Sequence, residues 1–142
     1  MPSYDVVLVP TDGSPPAVRG VEHGLAIAES HDAAVHFCHV IDRRRYGDRT
    51  GFSSYELAIE RCEDEANGEL DALVQRATER GLDAESHCTR GLPHEEIVAI
   101  ANAVDADVIV MGKHGEGAAE SPHIGSIADR VLRTTNRPVL TV

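Results

Sequence analysis

Gly112-Lys113-His114-Gly115 is followed, after nine residues, by Gly125-Ser126, and this is where the chain could do chemistry. Glycine lets a backbone approach a bulky anion and take up positive φ, so that several N–H groups converge on one place. A helix that starts at Gly125-Ser126 would add unpaired N–H donors and the positive end of its dipole. The chemistry implied is the cradling of phosphate oxygens. Lys113 could reach an outer phosphate as a point charge or could point to solvent; His114, and His123 within the spacer, could make a similar contact.

Secondary structure has to bring these residues together. The run Asp107-Val108-Ile109-Val110-Met111 reads as a buried strand ahead of the loop, and residues 127–134 read as an apolar-periodic helix behind it. Residues 4–10 form a first apolar run, and Ser14-Pro15 marks a helix start, with a cap and an N1 proline. Val18, Val21, Leu25 and Ala28 follow at helical spacing, and residues 34–41 read as a second strand. The polar segment 42–53 is expected to be a flexible loop. A long helix follows, marked by Tyr55, Ile59, Cys62, Ala66, Leu70 and Ala77 and ended by Gly81. Residues 82–89 form a third, less apolar strand expected nearer a sheet edge. Gly91-Leu92-Pro93 opens a further helix, and residues 138–142 form a last strand.

The order βαβαβαβαβ implies one domain over residues 1–142. It would be an α/β, Rossmann-like fold with a single open, mainly parallel five-stranded sheet and helices on both faces. In such sheets ligands bind at the carboxyl ends of the strands, at the topological switch point. Pro10-Thr11-Asp12-Gly13 is therefore expected to meet Met111-Gly112. Asp12 could contact a ribose or a metal ion there, or it could close its own turn through Ser14.

Composition narrows the partners. The 142 residues carry a net charge of −11, and of 13 basic residues only Lys113 is a lysine. An acidic surface almost without lysine suits very high salt, where the Debye length falls to about 3 Å and self-repulsion no longer opposes folding. A halophile's protein is the expectation. Nucleic acid is disfavoured as a partner, because phosphate neutralisation needs a basic face. No apolar run approaches a membrane span, and the opening residues lack a signal-peptide pattern. With three cysteines and no close pair, a reducing cytoplasm is expected.

Several chemistries are excluded by motif. There is no Gly-x4-Gly-Lys-Ser/Thr loop, and no Gly-x-Gly-x-x-Gly follows the first strand. Nor does the chain offer a phosphorelay receiver's pattern: strand three ends in Cys88-Thr89 rather than an aspartate, and no lysine lies near strand five. Arg43-Arg44-Arg45 with Arg49 could offer a guanidinium to phosphate, although a solvated loop balancing local acid is the slightly better reading. His31, His36 and His39 lack paired zinc-ligand spacing and read as structural. Cys38 and Cys88 could be neighbours if strands two and three pair.

Taken together, Gly112-x2-Gly115-x9-Gly125-Ser126 and strand-end Asp12 resemble the nucleotide-binding signature of the universal stress protein family. Val7-Leu8-Val9-Pro10-Thr11-Asp12-Gly13-Ser14, Gly91-Leu92-Pro93, and the closing Arg137-Pro138-Val139-Leu140-Thr141-Val142 extend the resemblance over nearly the whole chain. It implies the adenine-nucleotide alpha-hydrolase-like fold and membership of the ATP-binding branch. On that resemblance Asp12 contacts ribose, with Pro10 and Thr11 beside it, and Val40 lines the adenine pocket. Met111 leads into Gly112, Lys113, His114 and Gly115 around the phosphates, with Gly125, Ser126 and Ile127 closing the cradle. It also implies a homodimer through residues 138–142, an apolar edge that wants a partner.

Two functions remain open. One is an ATP-binding regulatory module of the stress response, whose nucleotide occupancy modulates dimer or protein-partner interactions. The other is a slow Mg-dependent ATPase or phosphotransferase at the same site. Asp12 and phosphate oxygens could hold Mg²⁺ or Mn²⁺, but phosphoryl transfer also needs a positioned base, and spacing identifies no second carboxylate. No residue is assigned as catalytic, and the binding module is favoured.

Overall fold

A computed structural model describes residues 3–42, 44, 52–114 and 124–142. Along the chain run β1 (Val6–Pro10), α1 (Pro15–His31), β2 (Ala34–Asp42), α2 (Phe52–Glu79), β3 (Ala84–Gly91), α3 (Pro93–Val104), β4 (Val108–Met111), α4 (Ser126–Thr134) and β5 (Val139–Thr141). The strands are parallel and lie in the order β3-β2-β1-β4-β5. The less apolar third strand does lie at an edge. The chain winds outward from β1 to β3 and then resumes on the other side of β1. The switch point therefore falls between the carboxyl ends of β1 and β4, at Pro10 and Met111.

Strand alternation sorts the core into two layers. Val7, Val9, Val35, Phe37, Val108 and Val110 pack under Val21, Leu25 and Ala28 of α1 and Leu70 and Ala77 of α2. On the other face Leu8, Cys38, Ile109 and Met111 meet Ile97, Ile100 and Ala101 of α3 and Ala128 and Val131 of α4. β1 and β4 are covered on both sides, which is why their sequences are continuously apolar.

Helix α1 comes unusually close to the sheet because it presents no Cβ where it crosses. A Cβ at Gly24 would lie 2.5 Å from Val9 Cγ2, and one at Gly20 would lie 3.0 Å from the Gly112 nitrogen. Gly112 reciprocates: a Cβ there would stand 2.4 Å from the Pro16 carbonyl oxygen. Neither Gly112 nor the N-cap Gly125 (φ −67°) has positive φ, so the conformational reason expected for these glycines does not apply to them. Close backbone approach is the reason at Gly112. Positive φ is instead needed at Gly13 (φ 78°), in the turn after β1, and at Gly81 (φ 80°), which ends α2.

Other boundaries shift. The segment expected as a loop over 42–53 begins with the last residue of β2 and ends inside α2, which starts at Phe52. Strands β2 and β3 do pair, but Cys38 faces His87 and Cys88 faces His39. The two thiols therefore point to opposite faces. Among the described residues no helix is long and apolar enough to cross a membrane.

Gly112→Ala should cost about 3 kcal/mol, the upper end for overpacking, because the atom it meets is backbone. Gly68→Ala, inside α2 with nothing within 4 Å of its added Cβ, should instead stabilise by about 0.5–1 kcal/mol. Urea unfolding midpoints of the two variants check both signs.

Candidate functional site

At the switch point the structure encloses a cavity of about 450 Å³, within the range of small-molecule sites. β1 contributes Pro10, with Thr11 and Asp12 just beyond it, and β2 contributes Cys38 through Asp42. Met111, Gly112 and His114 come from the end of β4, and Gly125, Ser126, Ile127 and Ala128 from the start of α4. Two further walls are Pro93 and Ile97 of α3 and Cys62, Glu65, Ala66 and Glu69 of α2.

Main-chain bonds make this geometry. The Lys113 N–H donates to the Val142 carbonyl at 2.8 Å, while the Lys113 carbonyl accepts from the Gly125 N–H. These bonds pin both ends of the glycine loop, so Gly125 stands beside the end of β4 despite the nine-residue spacer. Similarly, the Thr11 N–H donates to the Cys38 carbonyl at 2.8 Å and ties the mouths of β1 and β2 together.

The donors of the site come from α4. Its N-cap is Gly125, and no side chain caps the helix. A serine or aspartate there would satisfy a first-turn amide itself; glycine leaves those amides and the positive dipole end to the cavity. His114 Nε2 is buried and, among the described residues, has no hydrogen-bond partner.

Asp12 closes its own turn. Its Oδ1 accepts from the Ser14 N–H at 2.9 Å and from the Ser14 hydroxyl, and the Ser14 hydroxyl makes no cap bond to α1. Asp12 Oδ2 takes no part in these two bonds. Acid gathers on the α2 side, where the Glu69 carboxylate lies against Gly13, 2.9 Å from a Cβ built there. Burial pushes the Cys38 thiol up to about 12, so this wall cysteine is a neutral, unreactive hydrophobe.

Of the residues singled out from the sequence, Pro10, Thr11, Asp12, Val40, Met111, Gly112, His114, Gly125, Ser126 and Ile127 share this cavity. Lys113 is exposed and is not among its walls; its backbone is the brace. Arg44 is engaged by its own loop, donating from Nε and Nη2 to Asp42 at 3.0 and 2.8 Å. Gly115, His123, Arg43, Arg45 and Arg49 lie outside the described residues. Sequence reading missed Cys62, Glu65 and Glu69, which look like any polar helix face until α2 docks over the end of β2.

Arg90 holds that docking. From β3 its Nε and Nη2 donate to Glu63 at 3.1 and 2.6 Å, and its Nη1 donates to Glu56 at 3.2 Å. The charge is only 27% exposed.

Residues 3–142 match the universal stress protein family, and the chain belongs to it. Its fold superposes on the solved structure of the hypothetical protein MJ0577, of Methanocaldococcus jannaschii, with a TM-score of 0.90 and 29% identity, covering 99% of this chain and 96% of that one. A universal stress protein solved in complex with cAMP aligns at TM-score 0.67 and 27% identity, over 99% and 98% of the two chains. One from Archaeoglobus fulgidus in complex with dAMP aligns at TM-score 0.67 and 25% identity over the same shares.

The Arg90 clamp has a pH signature. Hydrogen bonds from Arg90 hold the Glu63 carboxyl below the ordinary 4.5. A depressed carboxyl contributes stability that is present above its unfolded pKa and is lost as pH falls through the folded one. Arg90→Gln should therefore lower the urea midpoint at neutral pH, with the difference from wild type vanishing as pH falls below 4.5 toward the depressed value. A difference independent of pH would assign Arg90 a packing role instead.

Proposed function

We propose that this cavity binds an adenine nucleotide, ATP by preference, and that occupancy modulates the protein's association with a second copy or a partner. One observation carries the reading: α4 opens on the cavity at Gly125 with no side-chain cap, beside the Lys113-His114 end of the glycine loop, and His114 Nε2 has no hydrogen-bond partner among the described residues. Phosphates would lie there, against the Gly112 backbone and the Ser126 hydroxyl, with Gly115 assigned to them on the family resemblance alone. Carboxylates at Glu65 and Glu69 would repel phosphate from the opposite side and, with Asp12, accept from ribose hydroxyls or the exocyclic amine. The adenine would rest on Val40. Support comes from the related structures that hold cAMP and dAMP; the span of donors from Gly112 to Ser126 favours the longer ATP.

Asp12 would be the residue that holds Mg²⁺ or Mn²⁺, which would offset phosphate charge there. The slow ATPase or phosphotransferase reading gains one observation, since Glu69 supplies the second carboxylate that spacing did not reveal. The homodimer would form along β5, whose Leu140 is 39% exposed at the sheet edge. One domain over residues 1–142, a cytoplasmic setting and adaptation to high salt complete the proposal.

Gly125→Asp is the sharpest test. Its backbone, at φ −67° and ψ 156°, accepts an N-cap aspartate, which would satisfy the amides and oppose phosphate charge. ATP·Mg binding by calorimetry should weaken at least 100-fold with no loss of thermal stability. Unchanged affinity would overturn the site. Stoichiometric ADP release in a single turnover, abolished in Glu69→Gln, would establish the enzymatic reading instead. For the dimer, Leu140→Arg should yield monomers in light scattering. Truncating the strand would be a poorer test, because Val142 bonds both Met111 and Lys113.

A further inference from the structure

The β2–β3 ladder assembles three ligand-type side chains that no spacing in the sequence connects. His36 sits in register with Glu85, and His87 faces Cys38. All three therefore project to the α3 side of the sheet, where Cys38 is buried. His36 Nδ1 lies 3.0 Å from His87 Nε2 and 3.7 Å from Glu85 Oε2. Every pair among the three ligand atoms is within 4.8 Å. The ring centroids are 5.2 Å apart and the planes differ by 22°. With the nitrogens so much closer than the centroids, the rings meet nitrogen edge to nitrogen edge rather than face to face.

We propose that His36, His87 and Glu85 bind a divalent cation of the zinc type, at a site separate from the cavity. Two imidazoles and one carboxylate are a donor set zinc uses when a fourth position stays open to water. Ligand atoms about 2.0–2.1 Å from a tetrahedral ion stand about 3.3 Å from one another, close to the separations His36 makes here. A cation displaced from the nitrogen–nitrogen line toward Glu85 would require both rings to turn so that their lone pairs aim at it. His36 is 14% exposed and Glu85 72% exposed, so an anchored imidazole is paired with a carboxylate that can capture the ion from solvent.

The environment prepares the ligands. Burial, and then the neighbouring His87, lowers the His36 pKa. Position suggests the consequence. Among the described residues β3 is an edge strand with β2 as its only sheet neighbour, so a bound ion would cross-link the sheet's margin. The site lies four residues along β2 from Val40, about 13 Å at strand rise.

The test is equilibrium dialysis of untagged full-length protein against Zn²⁺ at neutral pH. One tight equivalent is expected, unchanged by saturating ATP·Mg. His36→Ala/His87→Ala should weaken it at least 100-fold and Glu85→Gln about tenfold, while His23→Ala/His31→Ala should leave it intact. Co²⁺ should give the intense visible bands of a four-coordinate ion in wild type alone. Zn²⁺ should raise the Tm of wild type and not of the double variant, with metal-free circular dichroism spectra matching. If the double variant does not fold, His87→Gln alone must show the same loss. No bound equivalent in wild type, or retention by the histidine variants, would overturn the site.

Discussion

The carboxyl edge of this sheet depends on one backbone-to-backbone contact, that of Gly112 with the first turn of α1. No side-chain atom fits between Gly112 and the Pro16 carbonyl, and Gly20 meets the same stretch of β4 from the next turn of α1. Because α1 sits this low, the mouths of β1 and β4 come together, and Pro10, Asp12 and Gly112 share one cavity. Gly112, which looks like part of a phosphate motif, thus serves the fold first. Whatever ligand occupies the cavity inherits a floor made of main chain.

The second constraint is the pinning of the glycine loop. Lys113 is bonded through its N–H to Val142 and through its carbonyl to Gly125. The start of α4 is thereby joined to β4 and β5 rather than left to the length of the spacer. Its amides lack a capping side chain, while the opposite wall carries the carboxylates of α2. The cavity therefore has a donor side and an acid side, an asymmetry suited to a ligand that is anionic at one end and rich in hydroxyls or amines at the other. Arg90 sustains it by holding α2 against β3, with Glu63 as its main partner.

Much of the architecture was legible in local sequence. Continuous apolar runs at β1 and β4 announced strands covered on both faces, Pro15 and Pro93 marked helix starts, and Gly81 marked a helix end. Polarity placed β3 at an edge. Asp12, Gly112, Gly125 and Ser126 could be placed at the cavity because strand ends and helix starts are themselves local signals, whereas Val40 and His114 were named on the family resemblance. Lys113 could not be resolved between phosphate and solvent, since its backbone role depends on Val142. Glu65 and Glu69 carried no signal at all on an amphipathic helix with many acids.

By itself, then, the sequence determined which segments extend, which coil and which ends would carry glycine, because φ/ψ preference and apolar periodicity act over a few residues. Tertiary packing determined what those elements face. The depth of α1 rests on clearance of tenths of an ångström at Gly20, Gly24 and Gly112. The meeting of His36 with His87 rests on ladder register across 51 residues, and a slip of one residue would turn each side chain of a strand to the other face. Such choices are made by burial and steric fit between distant segments, and no short window of sequence contains both partners.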